Sequence, residues 1–134
     1  MILADTSVWM DYLRGEASWQ AARLDALLGE EELLLGDIIL LEILQGFTTE
    51  AEARRVEALL EPVDTIEIGG RALAVEAARL YRALRRKGIT VRSTIDTLIA
   101  ARCLADGLTL LHGDRDFVPF EREFGRAVVR QPTH

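Results

Sequence analysis

Residues 1–9 read MILADTSVW, and this stretch decides the fold. A short apolar run, Ile2-Leu3-Ala4, ends on Asp5 and passes straight into Thr6-Ser7 and an amphipathic segment. Three residues are too few for periodicity to classify. Their place before a helix-opening pair nevertheless predicts a buried strand that hands over to a helix, with Ser7 as its N-cap. Open α/β sheets bind ligands outside the carboxyl ends of their strands, so a carboxylate at this strand end faces that crevice. Asp5 alone also has a plainer reading, as an Asx cap.

The same alternation continues along the chain. Leu33-Leu34-Leu35-Gly36 and Leu108 to Leu111 are further buried strands, and Ala127-Val128-Val129 is a closing edge strand. Val63 to Ile68 alternates as a half-exposed strand or an extended connector. Between them lie helical stretches: one stopped near Gly15, one over Ala17–Leu28, and an apolar one capped by Asp37 and ended at Gly46. Thr48-Thr49 opens another that Pro62 closes. Arg71 to Arg86 is a strong amphipathic helix, Ser93 opens a further one that Asp106-Gly107 turns, and Pro119 to Phe124 makes a short last one. Gln131 to His134 is a frayed tail. Strands alternating with helices imply right-handed βαβ units. The expected fold class is α/β, a three-layer α/β/α sandwich on a central, mainly parallel sheet of four to five strands, with residues 1–134 as one domain.

Composition agrees with a globular chain. Of 134 residues, 49% are hydrophobic and 28% charged, and no apolar run reaches the roughly 20 residues of a membrane span. The N-terminus lacks a basic region followed by an apolar one, and Asp5 would interrupt it, so no secretory signal is expected. The single cysteine, Cys103, excludes an internal disulfide, fits a reducing cytoplasm and falls among apolar residues as an inert core thiol. The net charge of −6 argues against a generic nucleic-acid binder. It does not exclude a local site. Without Asp5, Glu42, Asp96, Asp114 and Asp116 the chain would carry about −1, and two divalent cations would bring the total to about −2.

Those five acids are the candidate site. Glu42 lies on a helix that is apolar nearly all round, and burying an unpaired carboxylate costs several kcal/mol or forces it to hold a proton. It therefore needs a cation, an arginine partner or a raised pKa. Asp96 also fits the reciprocal half of a capping box with Ser93, and Asp114 and Asp116 fit turn formers after Gly113. Taken as a set at element ends, the acids favour a metal site. Oxygen donors without His or Cys partners select Mg²⁺ or Mn²⁺ over Zn²⁺. Only His112 and His134 are present, too little for a zinc hydrolase or a Ser-His-Asp triad. Paired cations in such a cluster suit a phosphodiester substrate.

DTSVW at the N-terminus, the Glu of LLEILQGF, STIDTLIAA and LLHGDRDF together resemble a PIN-domain ribonuclease of the VapC toxin type, over essentially the whole chain. The resemblance implies a Mg²⁺- or Mn²⁺-dependent endoribonuclease, the toxin of a toxin–antitoxin pair, held inactive by a cognate VapB-like antitoxin. It carries the catalytic acids onto Asp5, Glu42, Asp96 and Asp114. Asp116 is a fifth member whose role can exchange with that of Asp114. Asp5 and Asp96 are then the central ligands, and the expected reaction is in-line hydrolysis by an activated water. Thr6 or Ser7 lines the site, and Arg92 or Arg115 contacts RNA phosphate.

Two rivals stand beside this one. DRD after a strand is similar to the D-x-D of aspartate-nucleophile phosphatases, although it comes late in the chain. An acidic receiver-like binding module also gathers acids at strand ends, but it wants a lysine after a late strand, and the only one is Lys87. Arg79, Arg82 and Arg86 form a ridge that is first a solvated surface and second a phosphate-tracking edge. Trp9, Tyr12 and Trp19 either pack internally or receive an antitoxin helix in a groove. The resemblance further implies that the antitoxin places a basic side chain in the acidic site. A C2 homodimer is the expected oligomer, in the cytoplasm and without a membrane.

Overall fold

Ile2–Ala4 forms β1, the strand that the sheet is built around. In the computed structural model, which describes residues 1–125, β1 is flanked on both sides by parallel partners. Ile2 and Leu3 stand opposite Leu33 and Leu34 of β2 (Leu33–Gly36). Ile2, Leu3 and Ala4 stand opposite Thr109, Leu110 and Leu111 of β4 (Thr109–Leu111). β3 (Asp64–Ile66) pairs with the outer side of β2, giving the order β3-β2-β1-β4. Every residue of β1 and β2 is buried, as parallel strands covered on both faces must be. The edge strand β3 carries exposed Asp64 and Thr65, which blunts it against further pairing. The edge strand expected at Ala127–Val129 and the tail at Gln131–His134 lie outside the described residues.

The crossovers set the layers. α1 (Thr6–Leu13) and α2 (Trp19–Leu27) connect β1 to β2, and α3 (Asp37–Gln45) and α4 (Glu50–Leu60) connect β2 to β3. Both steps go the same way across the sheet, so right-handed connections put these helices on one face. α5 (Arg71–Arg86) and α6 (Thr94–Asp106) carry the chain back past β2 and β1 to β4, and so cover the other face. α1 packs on α2 and α3, while α5 packs on α6. A 3₁₀ turn over Arg115–Phe117 and α7 (Val118–Phe124) follow β4. The order reverses direction between β1 and β4. That switch point opens a crevice at their carboxyl ends, and Asp5 and Asp114 both stand on it.

Local chemistry explains most element ends. Ser18, Thr49 and Ser93 cap their helices, each accepting a backbone N–H from three residues on. α5 spans the predicted residues, entered through Gly69-Gly70 at φ of +126° and +85°, which suit glycine. Two expected caps are displaced. α1 starts directly after the strand, with Asp5 in the N-cap position and its carbonyl accepting from Val8 and Trp9. Ser7 is therefore inside the first turn, and the Asp5 carboxylate makes no cap bond. Asp37 is the first residue of α3 rather than its cap. Its Oδ1 accepts from the N–H of Ile68 at 2.8 Å, tying the start of α3 to the loop after β3.

α3 departs further from expectation. Only Ile39 and Ile43 are fully buried, Leu41 is 59% exposed and Glu42 is half-buried. The helix packs on β2, α1 and α4, and Leu41 faces solvent. The core is centred instead on Trp9, Phe117 and Phe120 with Leu3, Leu35 and Ile99. Trp9 thus packs internally, Trp19 and Tyr12 sit at the core's margin, and the Tyr12 hydroxyl donates to Asp25 at 3.1 Å. Cys103 is buried as expected. Arg79, Arg82 and Arg86 are exposed along α5, with Arg79 bonded to Glu76.

Candidate metal centre

Asp5 is the most enclosed acid, 5% exposed at the end of the central strand. Its backbone N–H donates to the Leu111 carbonyl at 3.0 Å, which stitches it to the end of β4. Ser7 Oγ donates to Asp5 Oδ2 at 2.9 Å. Burial pushes the Asp5 pKa above its ordinary value, against the pull of that hydroxyl and of the Thr6 and Ser7 backbone N–H groups. Thr6, the next residue, takes a different partner. Its Oγ1 donates to Glu42 Oε1 at 2.7 Å, joining the start of α1 to the middle of α3. Glu42 is thus held by a hydroxyl and still open to solvent.

Asp96 enters from the other layer. Ser93 caps α6 through the Asp96 N–H at 3.2 Å, and Thr97 Oγ1 bonds back to the Ser93 carbonyl at 3.1 Å. The cap thus uses the Asp96 backbone and leaves its carboxylate to the crevice. That carboxylate has its pKa pushed up to about 7, first by burial and then by the charges of Asp5, Asp114, Asp116 and Glu42. The other four acids therefore all act on Asp96.

Asp114 and Asp116 complete the group. Asp114 caps the 3₁₀ turn, its Oδ1 accepting from the Asp116 N–H at 2.9 Å. Its own N–H donates to His112 Nδ1 at 3.2 Å, and the His112 ring lies 5.0 Å from that of the buried Phe117. Asp96, Asp114 and Asp116 each offer a carboxylate oxygen, and these oxygens all lie within 4.8 Å of one another. Asp116 stands in this trio on the same footing as Asp114. Arg92 Nη2 lies 3.5 Å from Asp116 Oδ1 at the rim. Arg115 is exposed on the 3₁₀ turn, and Ser7 is exposed beside Asp5.

Three carboxylates this close, one of them half-buried and facing the charges of the others, suit a hard divalent cation whose charge they would share. His112 is turned to orient Asp114 through a backbone N–H, a role for which His-x-Asp spacing gives no signal by itself. The Arg92–Asp116 pairing was equally beyond sequence, since 24 residues separate the two in a chain rich in arginine.

The sequence matches the PIN domain family over residues 2–122. It is 37% identical over 119 residues to ribonuclease VapC11 of Mycobacterium tuberculosis, covering 87% of this chain and 89% of that protein. Ribonuclease VapC19 of the same species is 32% identical over 118 residues, covering 83% and 86%. Among solved structures, the fold is similar to VapBC2 from Rickettsia felis bound to a DNA fragment from its promoter. The TM-score is 0.76 at 18% identity, over 98% of this chain and 100% of that one.

Proposed function

This chain belongs to the PIN-domain family, and on that premise we propose that it is a metal-dependent endoribonuclease that acts as the toxin of a toxin–antitoxin pair. The observation that carries the metal reading is Asp96, which meets Asp114 and Asp116 within 4.8 Å while its pKa is pushed up to about 7. Asp5, Asp96, Asp114 and Asp116 are the residues to hold the cation, Mg²⁺ or Mn²⁺. When bound, such an ion activates water and stabilises the charge that develops on a phosphodiester.

The chain's own groups supply the rest. Ser7 orients the Asp5 carboxylate. Thr6 engages one oxygen of Glu42, leaving the other to accept a hydrogen bond from the attacking water and draw off its proton. Water attacks phosphorus in line with the leaving oxygen, whose P–O bond breaks as it takes up a proton. Arg92 and Arg115, at the rim, face the flanking phosphates.

The substrate is RNA and the partner a VapB-like antitoxin, in keeping with the relatives' names and with the VapBC complexes of similar fold. A homodimer in the cytoplasm completes the proposal, with exposed Leu41 and Val75 as apolar positions for a partner to cover. No described helix is long and apolar enough to cross a membrane. The receiver-like alternative loses its lysine, because Lys87 Nζ is paired with Glu123 at 2.6 Å. The test is cleavage of a mixed-sequence single-stranded RNA. The expected result is activity that EDTA abolishes and Mn²⁺ restores, with Asp96→Asn folded by circular dichroism but slowed about 10²–10³-fold. Undiminished cleavage by Asp96→Asn, or in EDTA, would overturn the assignment.

A further inference from the structure

Arg92 is a cation on a fixed stem beside the acids. Its neighbour Val91 is buried, and Ser93 is pinned by its bonds with Asp96 and Thr97. The backbone of Arg92 is thereby held four residues before Asp96, while its side chain is 83% exposed. The guanidinium reaches Asp116 Oδ1 at 3.5 Å, a charge contact too long for a good hydrogen bond. Exposed pairs of this kind are worth little and separate at little cost. Asp116 is also a member of the trio whose oxygens lie within 4.8 Å of one another. One carboxylate thus has two claimants, the guanidinium outside and a cation inside.

We propose that Arg92 is an exchangeable counter-ion: it pairs with Asp116 when the trio holds no cation and turns to an RNA phosphate when the trio holds one. The proposal rests on the functional reading above for its RNA half only. A cation among Asp96, Asp114 and Asp116 draws the Asp116 charge inward and leaves the guanidinium without a partner. A phosphodiester then offers it two oxygens in the fork geometry that arginine matches best. By linkage, the cation strengthens RNA binding and RNA strengthens cation binding through this residue. Arg92 is a substrate-positioning residue and handles no proton.

Calorimetric titration of the RNA-free protein with Mn²⁺ tests the first half. Arg92→Ala and Arg92→Gln are expected to bind Mn²⁺ about 3–5-fold tighter than wild type, because a competing positive charge is gone. Arg92→Lys is expected to lie between. The second half is read from steady-state cleavage of a mixed-sequence single-stranded RNA. Arg92→Ala is expected to raise KM about 10-fold with kcat within about 3-fold, and to make the salt dependence of kcat/KM shallower by about 0.7 in log–log slope. In EDTA, Asp116→Asn is expected to bind that RNA more tightly than wild type by fluorescence anisotropy. Adding Arg92→Ala to it should remove most of the gain, which a simple loss of negative charge would leave intact. Unchanged Mn²⁺ affinity in Arg92→Ala overturns the counter-ion half, and unchanged KM and salt slope overturn the phosphate half. If wild type cut no RNA, the functional reading and the phosphate half would both fall, while the Mn²⁺ titration would still decide the counter-ion half.

Discussion

Asp5 and Glu42 reach the same crevice from opposite surroundings. Along the chain, Asp5 sits beside Thr6 and Ser7, whereas Glu42 is embedded in Ile38-Ile39-Leu40-Leu41 and Ile43-Leu44. In space the order is inverted: Asp5 is 5% exposed, and Glu42 is half-buried with Leu41 beside it 59% exposed. The central strand has neighbours on both edges and helices on both faces. α3 lies in an outer layer, with Leu41 facing solvent. Burial of an acid is thus set by the layer it stands in, and local hydrophobicity is a poor guide to it.

Activity breaks this comparison most sharply. Asp5→Asn, at the enclosed position, is expected to slow RNA cleavage about 10³-fold, and Glu42→Gln about 10²-fold, the lower end for loss of a general base. Rates on one RNA substrate at fixed Mn²⁺ decide it. Equal losses would mean that enclosure does not rank the two acids.

Core packing gives the next effect. Ile43→Ala, at a fully buried α3 position, is expected to cost about 2–5 kcal/mol, and Leu41→Ala, on the open side, less than about 0.5 kcal/mol. Urea unfolding of the protein at low concentration measures both. A large loss at Leu41 would reveal a partner covering that face.

The smallest effect is in pH. Folded Asp96 holds its proton up to about pH 7, against 3.8 for an ordinary aspartate. Between those values the folded chain keeps a proton that the unfolded chain has lost. The contribution to stability is full below about pH 4 and is lost as pH rises to about 7. The raised pKa of Asp5 acts in the same sense. In EDTA, Tm should fall by a few degrees from pH 5 to pH 8, a modest change because Asp96 is half-buried and partly screened by solvent. Asp96→Asn should flatten that slope and Glu42→Gln should leave most of it. Mn²⁺ should restore Tm at pH 8 by binding the folded state.

Much of the architecture was legible in the residues. Apolar runs ending on Asp5 and before Asp114, helices opened by Thr49 and Ser93, and the 71–86 helix all follow from local pattern, where the interacting groups lie within a few residues. The four quoted blocks carried the family. Ser7 and Asp37 were misplaced as caps because their partners depend on where the neighbouring strand ends and on Ile68, 31 residues on.

The sequence by itself determined the alternation of strands and helices, the all-oxygen character of the acidic set and its resemblance to PIN-domain ribonucleases. Hydrophobic period, caps and donor chemistry are properties of nearby residues. Only the tertiary structure decided that Asp5 is enclosed and Glu42 open, that Asp116 joins Asp96 and Asp114 within 4.8 Å, and that Arg92 stands against Asp116. Each of these depends on the reversal of strand order between β1 and β4 and on how much solvent the packed layers exclude. Those are sums over distant contacts, which no local window of the chain contains.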